Sequence, residues 1–235
     1  MIEGHKIVPH EDWVAARKQL LAKEKEFNRL RDQLSQQRRE LPWERVDKAY
    51  TFEGPNGKET LAELFAGKSQ LVMYHFMFGP GWKNPCKSCS FWADQVERNV
   101  VHLAARDTTL LVCSRAPLPE ILPFKQRMGW TFKWVSSAGS DFNFDYHVSL
   151  RPEEVGHEVE YNYRPIKLTV EEQPGISVFY KDPQGAIFHT YSTYSRGLDM
   201  MNAAYHFLDL TPKGRDEAGL SYPMAWLRYR DSYGT

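Results

Sequence analysis

Gln70-Leu-Val-Met-Tyr-His-Phe-Met-Phe78, then Gly79-Pro-Gly-Trp-Lys-Asn-Pro85, then Cys86-Lys-Ser-Cys89, is the stretch whose reading decides the fold. The first nine residues are mostly apolar and aromatic and are too short to cross a membrane. Such a run predicts a strand buried on both faces, in the middle of a sheet with helices on either side. Glycine or proline occupies four of the next seven positions, which forces a loop. Beyond the cysteines, Trp92, Val96, Val100 and Leu103 recur at spacings of 4, 4 and 3, one apolar stripe on a helix. Two thiols therefore stand where a central strand hands over to a helix N-terminus.

That position suits redox chemistry. Unpaired N–H groups and the macrodipole of a helix start favour negative charge, so a cysteine there ionises more easily than a free thiol. Two intervening residues in a helical first turn bring the sulfurs close. Cys86 is expected to be the exposed nucleophile and Cys89, one turn in, the resolving thiol. The same pair could be half of a zinc site or simply structural. A tetrahedral zinc site needs four ligands, however, and no second Cys-x-x-Cys occurs.

With 235 residues and 42% apolar content, the chain can form one domain with appendages and a sizeable core without disulfide staples. Thirty basic and thirty acidic residues cancel, leaving no electrostatic footprint for nucleic acid or an anionic membrane. Three cysteines in such a chain point to a reducing compartment. No apolar stretch approaches about 18 residues and no secretory signal is seen, so a cytoplasmic location is expected.

Three parts are predicted: a helical arm at 1–45, an α/β domain at 46–212 with an insertion at about 137–173, and a tail at 213–235. The arm holds one long helix from Glu11 to Glu40, entered through Pro9. Its Trp13, Leu20, Phe27, Leu34 and Leu41 follow a strict seven-residue period, with Ala16 and Leu30 beside them. A seam that narrow must lie on the domain's own surface or on a second subunit, so a homodimer through this helix is one expectation. Tyr50 to Thr60 reads as a short strand and turn, with Thr60 capping a helix from Leu61 to Phe65. Strands follow at Thr108–Cys113 and Phe132–Ser136, with a helical stretch from Pro117 to Met128 between them. Cys113 is read as a small buried hydrophobe. Strand and helix alternating at these spacings mean βαβ units and a largely parallel sheet. The segment from Ser137 to Gln173 is read as an insertion or lid with one strand. Gly175 to Ser192 is a hairpin turning at Asp182-Pro-Gln-Gly185, and Leu198 to Leu208 an amphipathic helix. Trp226, Tyr229 and Tyr233 are expected to dock the tail on the body.

This order of elements resembles the thioredoxin-like superfamily over roughly Tyr50 to Leu210. The chain looks more closely like the bacterial domain-of-unknown-function family 899, DUF899. The phrases that carry this are Tyr74-His-Phe-Met-Phe-Gly-Pro, Ser114-Arg-Ala-Pro, Arg127-Met-Gly-Trp, Ser140-Asp-Phe-Asn and His189-Thr-Tyr-Ser-Thr-Tyr-Ser-Arg-Gly-Leu-Asp. The resemblance implies a thioredoxin-like, peroxiredoxin-type α/β fold: a central mixed sheet flanked by helices, preceded here by the long N-terminal helix. It also implies thiol–disulfide exchange by Cys86 and Cys89, with no cofactor, a protein or small-molecule disulfide as substrate and an external thiol reductant. Pro174 is carried over as the proline before the hairpin strand, cis and facing the thiols in thioredoxins. Trp82 and Pro85 are carried as supporting residues. Lys87-Ser88 stands where thioredoxins place Gly-Pro, and Trp82 is four residues ahead of Cys86 instead of adjacent.

Two rival activities are weighed. Tyr50–Lys58 and Asp141–His147 look like peroxiredoxins, which suggests peroxide reduction. Its Pro-x-x-x-Thr/Ser-x-x-Cys pattern would fall here on Gly79 and Lys83, which supply neither the proline nor the hydroxyl. Alternation of Met73, His75 and Met77 puts a soft-ligand face on the central strand, so Cys86, Cys89 and His75 could hold copper or zinc. In another reading His75 is a buried proton acceptor below the dithiol, and Met73 and Met77 pack a core. His147, His157 and His189 are read as surface or hydrogen-bonded residues. A protein that keeps the fold for binding alone is the third class.

Overall fold

Thirty-one residues without glycine or proline form α1, His10–Glu40, in the computed structural model, which describes residues 4–234. The first three residues of the predicted arm and the last of the predicted tail lie outside the described residues. Glu11 and Asp12 in the first turn and Arg38 and Arg39 in the last complement the helix dipole, and the helix ends before Pro42. Arg17 and Glu24 pair at 2.8 Å along the helix, and no residue of α1 is buried. The chain divides into two units between Pro42 and Trp43.

The second unit carries the sheet. β1 (Glu44–Arg45), β2 (Thr51–Gly54) and β3 (Gly57–Thr60) precede the short helix α2 (Leu61–Leu64). The β2–β3 turn passes through Gly57 at φ 110°, a conformation that side chains disfavour. Thr60 caps α2 in a reciprocal capping box with Glu63. Then come β4 (Gln70–His75), α3 (Lys87–Ala104), β5 (Thr108–Ser114), α4 (Leu118–Arg127) and β6 (Trp134–Ser136). α5 (Phe142–Asp145), the hairpin β7 (Glu158–Tyr161) and β8 (Arg164–Lys167), the hairpin β9 (Gly175–Lys181) and β10 (Ile187–Tyr194), and α6 (Ala203–Asp209) complete the unit.

Eight strands form one sheet in the order β1-β10-β9-β4-β5-β6-β2-β3. β4, β5 and β6 run parallel, while β9 pairs antiparallel with β4. This is a thioredoxin-like core, with the strand leading to the thiols between a parallel and an antiparallel neighbour. The β2–β3 hairpin extends it beyond β6. Alternation along β4 sorts the core. Tyr74, Phe76 and Phe78 pack with Cys89, Trp92 and Ala93 of α3 and with Ile121 and Phe124 of α4. Leu71 and Met73 face the other way, onto Leu64, Phe142 and Phe179. Each such side chain fully withdrawn from water contributes about 2 kcal/mol before its entropy is charged.

The structure departs from the sequence reading in particular places. The 137–173 segment holds two strands instead of one, and it is part of the body: Phe142 is fully buried and Tyr146 packs on Phe179. The predicted helix from Leu198 to Leu208 breaks into a 3₁₀ turn, Ser195–Met201, and α6, because Asn202 turns its side chain to accept from the Tyr205 N–H and caps a new helix. Pro123 lies inside α4, within the helical stretch expected from Pro117 to Met128. In β10 the register with β9 shifts between His189 and Tyr191, leaving Thr190 as an extra residue. In the tail Leu227 and Tyr229 are buried, Asp231 pairs with Arg127 at 2.7 Å, and Tyr233 stays exposed. No described helix is long and apolar enough to cross a membrane.

Candidate active site

Beyond His75 the strand ends, and a few single hydrogen bonds, mostly from backbone, hold the chain. Ser114 Oγ donates to the Phe76 carbonyl at 2.7 Å, and the Ala116 N–H donates to the Phe78 carbonyl at 2.8 Å. Cys86 N–H then donates back to the Met77 carbonyl at 3.2 Å, so the loop from Gly79 to Pro85 closes on its own root. Within the loop, Gly79 lies so close under Trp82 that a Cβ there would fall 2.8 Å from the indole nitrogen. The indole N–H donates to Glu171 at 3.3 Å, and Gly81 N–H donates to Glu120 at 3.0 Å.

Cys86 is the N-cap of α3, and its sulfur accepts from the Cys89 N–H at 3.3 Å. Cys86 is partly open to solvent, whereas Cys89 is 2% exposed. Both are free thiols. The Cys89 thiol hydrogen bond lowers the Cys86 pKa from 9.0 to about 7; burial opposes, and the N–H groups of Cys89 and Ser88 assist. Cys89 moves the other way, raised chiefly by burial and then by its charged neighbour. Its sulfur accepts from the Met77 N–H at 3.5 Å, and Tyr74, fully buried beneath, donates to its carbonyl at 3.5 Å. One sulfur is thus prepared to be anionic and the other to keep a proton, as an attacking and a resolving thiol require.

Other predicted residues fall into place unevenly. Trp82 and Pro85 flank the thiols, and Pro85 is buried with its carbonyl accepting from Tyr229 of the tail. Pro85 and Trp82, with Phe124 and Arg127, line an open depression of about 410 Å³ beside the N-cap. The peptide bond before Pro174 is trans, unlike the cis bond carried over from thioredoxins, and the carbonyl of Pro174 accepts from Tyr161 Oη at 2.8 Å. The larger correction concerns His75. It shares its sheet face with Met73, packed on Phe142 and Tyr146, while Cys89 lies on the opposite face. Met77, past the end of β4, packs on the thiol side. The Met-His-Met face therefore does not exist, His75 cannot trade protons with Cys89 directly, and Cys86, Cys89 and His75 do not converge on one copper or zinc ion. Among the described residues, no three His, Cys, Asp or Glu side chains are grouped to hold a metal.

On its own face His75 begins a buried polar chain. Its Nε2 lies 2.8 Å from Ser177 Oγ, which is 2.9 Å from Ser192 Oγ, which is 2.7 Å from His189 Nε2. Burial, then the charge on His189, lowers the His75 pKa from 6.5 to about 3, so the ring is neutral. His189 ends the chain at a surface hollow of about 360 Å³ that Tyr50, Tyr146, Lys48 and Asp145 also line. Cys113 is buried, and burial pushes its thiol up to about 12.

Residues that the sequence reading did not single out complete the thiol environment. Arg115 bonds Glu172 at 2.7 Å and Glu171 at 3.2 Å, and Ser149 donates to the buried Glu172 at 2.7 Å. This network ties the end of β5 to the acceptor of the Trp82 indole. Arg115 belongs to the Ser114-Arg-Ala-Pro phrase, a usable signal; Glu171 had none, and Tyr229 was read only as docking the tail, not as reaching Pro85.

The sequence profile of a family described as "Bacterial protein of unknown function (DUF899)" matches residues 2–233. None of the curated proteins matches the chain. Among solved structures, a cysteine variant of PrxQ from Xylella fastidiosa is 14% identical, with a TM-score of 0.42 over 67% of this chain and 89% of that one. A variant of peroxiredoxin Q from Xanthomonas campestris is 15% identical, with a TM-score of 0.44 over 67% and 90%. Peroxidoxin BcpB of Mycobacterium tuberculosis is 12% identical, with a TM-score of 0.43 over 68% and 93%. At these identities and scores the likeness adds nothing to what the strand order states by itself.

Proposed function

The chain belongs to the bacterial family of unknown function DUF899, and from that premise we propose that it is a thiol–disulfide oxidoreductase whose nucleophile is Cys86. The observation that carries this reading is the Cys86 sulfur standing as N-cap of α3 and accepting from the Cys89 N–H at 3.3 Å. The Cys86 thiolate attacks one sulfur of a substrate disulfide, forming a mixed disulfide and expelling the other sulfur as a thiolate. With Cys86 now neutral, the charge that helped hold the Cys89 proton is gone. Cys89 gives its proton to the departing thiolate and attacks the Cys86 sulfur, releasing the second substrate thiolate. The substrate gains two electrons and the protein is left with a Cys86–Cys89 disulfide, which an external dithiol reductant returns to the start. No cofactor enters the cycle. The setting is a reducing compartment, the cytoplasm, and the exposed seam of α1 fits a second copy of the chain as partner.

Peroxide reduction is a second reading, favoured by the peroxiredoxin-type addition of β2–β3 to the sheet and disfavoured by Lys83 where that chemistry wants a hydroxyl. One set of proteins separates them. A Cys89→Ser variant incubated with a disulfide such as oxidised glutathione is expected to stall as a Cys86 mixed disulfide, visible by intact mass. Wild type is expected to consume dithiothreitol-coupled disulfide far faster than hydrogen peroxide. A Cys86→Ser variant as active as wild type toward disulfides overturns the proposal, and a preference for peroxide moves it to the second reading.

A further inference from the structure

We infer that α1 is one strand of a parallel, in-register two-stranded coiled coil formed with a second copy of this chain. The seam is present and uncovered. Trp13, Leu20, Phe27 and Leu34 repeat every seven residues and are 57%, 53%, 64% and 43% exposed. Three positions after each lie Ala16, Lys23, Leu30 and Gln37. The first row thus occupies heptad position a and the second position d. The helix runs for more than four heptads, the length at which such seams become independent structures.

The flanking charges identify the partner and its direction. Position g holds Asp12, Gln19, Glu26, Gln33 and Glu40, with no basic residue. Position e holds Arg17, Glu24, Arg31 and Arg38. In a parallel in-register pair, each g residue meets the e residue five places on in the other copy. Asp12 then meets Arg17, and Glu26 meets Arg31, each twice by symmetry. An antiparallel pair would set g against g, acid on acid, and mostly arginine against arginine at e. The sequence is therefore self-complementary in one orientation only. Lys23 and Gln37 at d weaken the seam and hold it to two strands, since a buried lysine needs an open route for its ammonium to reach water. The reading is independent of the thiol chemistry and survives its failure.

The test uses the full chain. Sedimentation equilibrium is expected to give a dimer at micromolar concentration, and Leu20→Glu with Phe27→Glu a folded monomer, its fold checked by circular dichroism and by unchanged Cys86 alkylation. Glu26→Arg alone is expected to weaken the dimer roughly tenfold by turning two attractive pairs repulsive, and adding Arg31→Glu to restore it. For direction, Leu20→Cys in a Cys86→Ser, Cys89→Ser background is expected to cross-link to itself on mild oxidation, because a residues self-pair only in the parallel register. A monomeric wild type, a dimer indifferent to the seam variants, or a dimer in which Leu20→Cys fails to cross-link overturns the inference.

Discussion

The acidity of Cys86 is where the thiol reading can be tested most directly. Its pKa of about 7, against 9.0 for an ordinary thiol, raises the thiolate fraction at pH 7 from about 1% to about 50%, roughly fiftyfold. Lower basicity also means a weaker nucleophile. With a Brønsted coefficient of about 0.45, two units take back roughly eightfold, leaving a net gain of about sixfold in alkylation rate at pH 7. The rate of iodoacetamide addition to Cys86, followed site by site by mass spectrometry from pH 5 to 10, is expected to rise with a midpoint near 7. Cys113 does not interfere, because burial holds its thiol at about 12. The largest cause of the shift is the hydrogen bond from the Cys89 thiol. Cys89→Ala should therefore move the midpoint up toward 9, while Cys89→Ser, which keeps a donor, should leave it close to 7. A wild-type midpoint at 8.5 or above, or a Cys89→Ala midpoint equal to that of wild type, would refute the assignment of roles.

Three further outcomes follow from the same geometry. His75 is neutral when folded, with a pKa near 3 against 6.5, so below pH 6.5 the unfolded chain binds a proton that the native one does not. Stability is then lost as pH falls from 6.5 toward 3, by about 3 kcal/mol at pH 4.5; His75→Gln should remove this component, and urea titrations with identical slopes for both proteins would reject it. Glu172→Ala leaves the Arg115 guanidinium without its buried partner, and a loss of about 3 kcal/mol is expected in denaturant unfolding; a loss below 0.5 kcal/mol would show that the pair is dispensable. Gly79→Ala puts a methyl group against the Trp82 indole and should cost about 1–3 kcal/mol, a cost that Trp82→Ala should abolish in a double-mutant cycle.

Much of the fold was legible where one local signal was strong. The apolar run at Gln70, the two cysteines and the stripe from Trp92 to Leu103 together place a strand, an N-cap and a helix, and those are what the structure has. Pattern failed where polar residues are consumed by tertiary contacts. Glu172 and Ser149 carry no signal in a polar stretch, yet they are buried because Arg115, far away in sequence, neutralises the one and the carboxylate accepts from the other. His75 was misassigned for a related reason. Period-two alternation shows which residues share a face but not which helix covers that face, and Met77 had already left the strand. Asn202 shows the same limit at short range: an amphipathic period continues straight across it, while its side chain stops one helix and starts another.

The extra residue in β10 has a consequence of its own. In an even strand, residues three apart point to opposite sides of the sheet, so His189 and Ser192 could not touch. Thr190 acts as a half-step spacer that brings both side chains to one side, and only then does the imidazole reach the serine. Straightening the bulge, so that Thr190 took a place in the ladder, would act as a frame change along the strand. It would turn His189 away from Ser192 and disconnect the His75 ring from the surface without altering any member of the chain it severs.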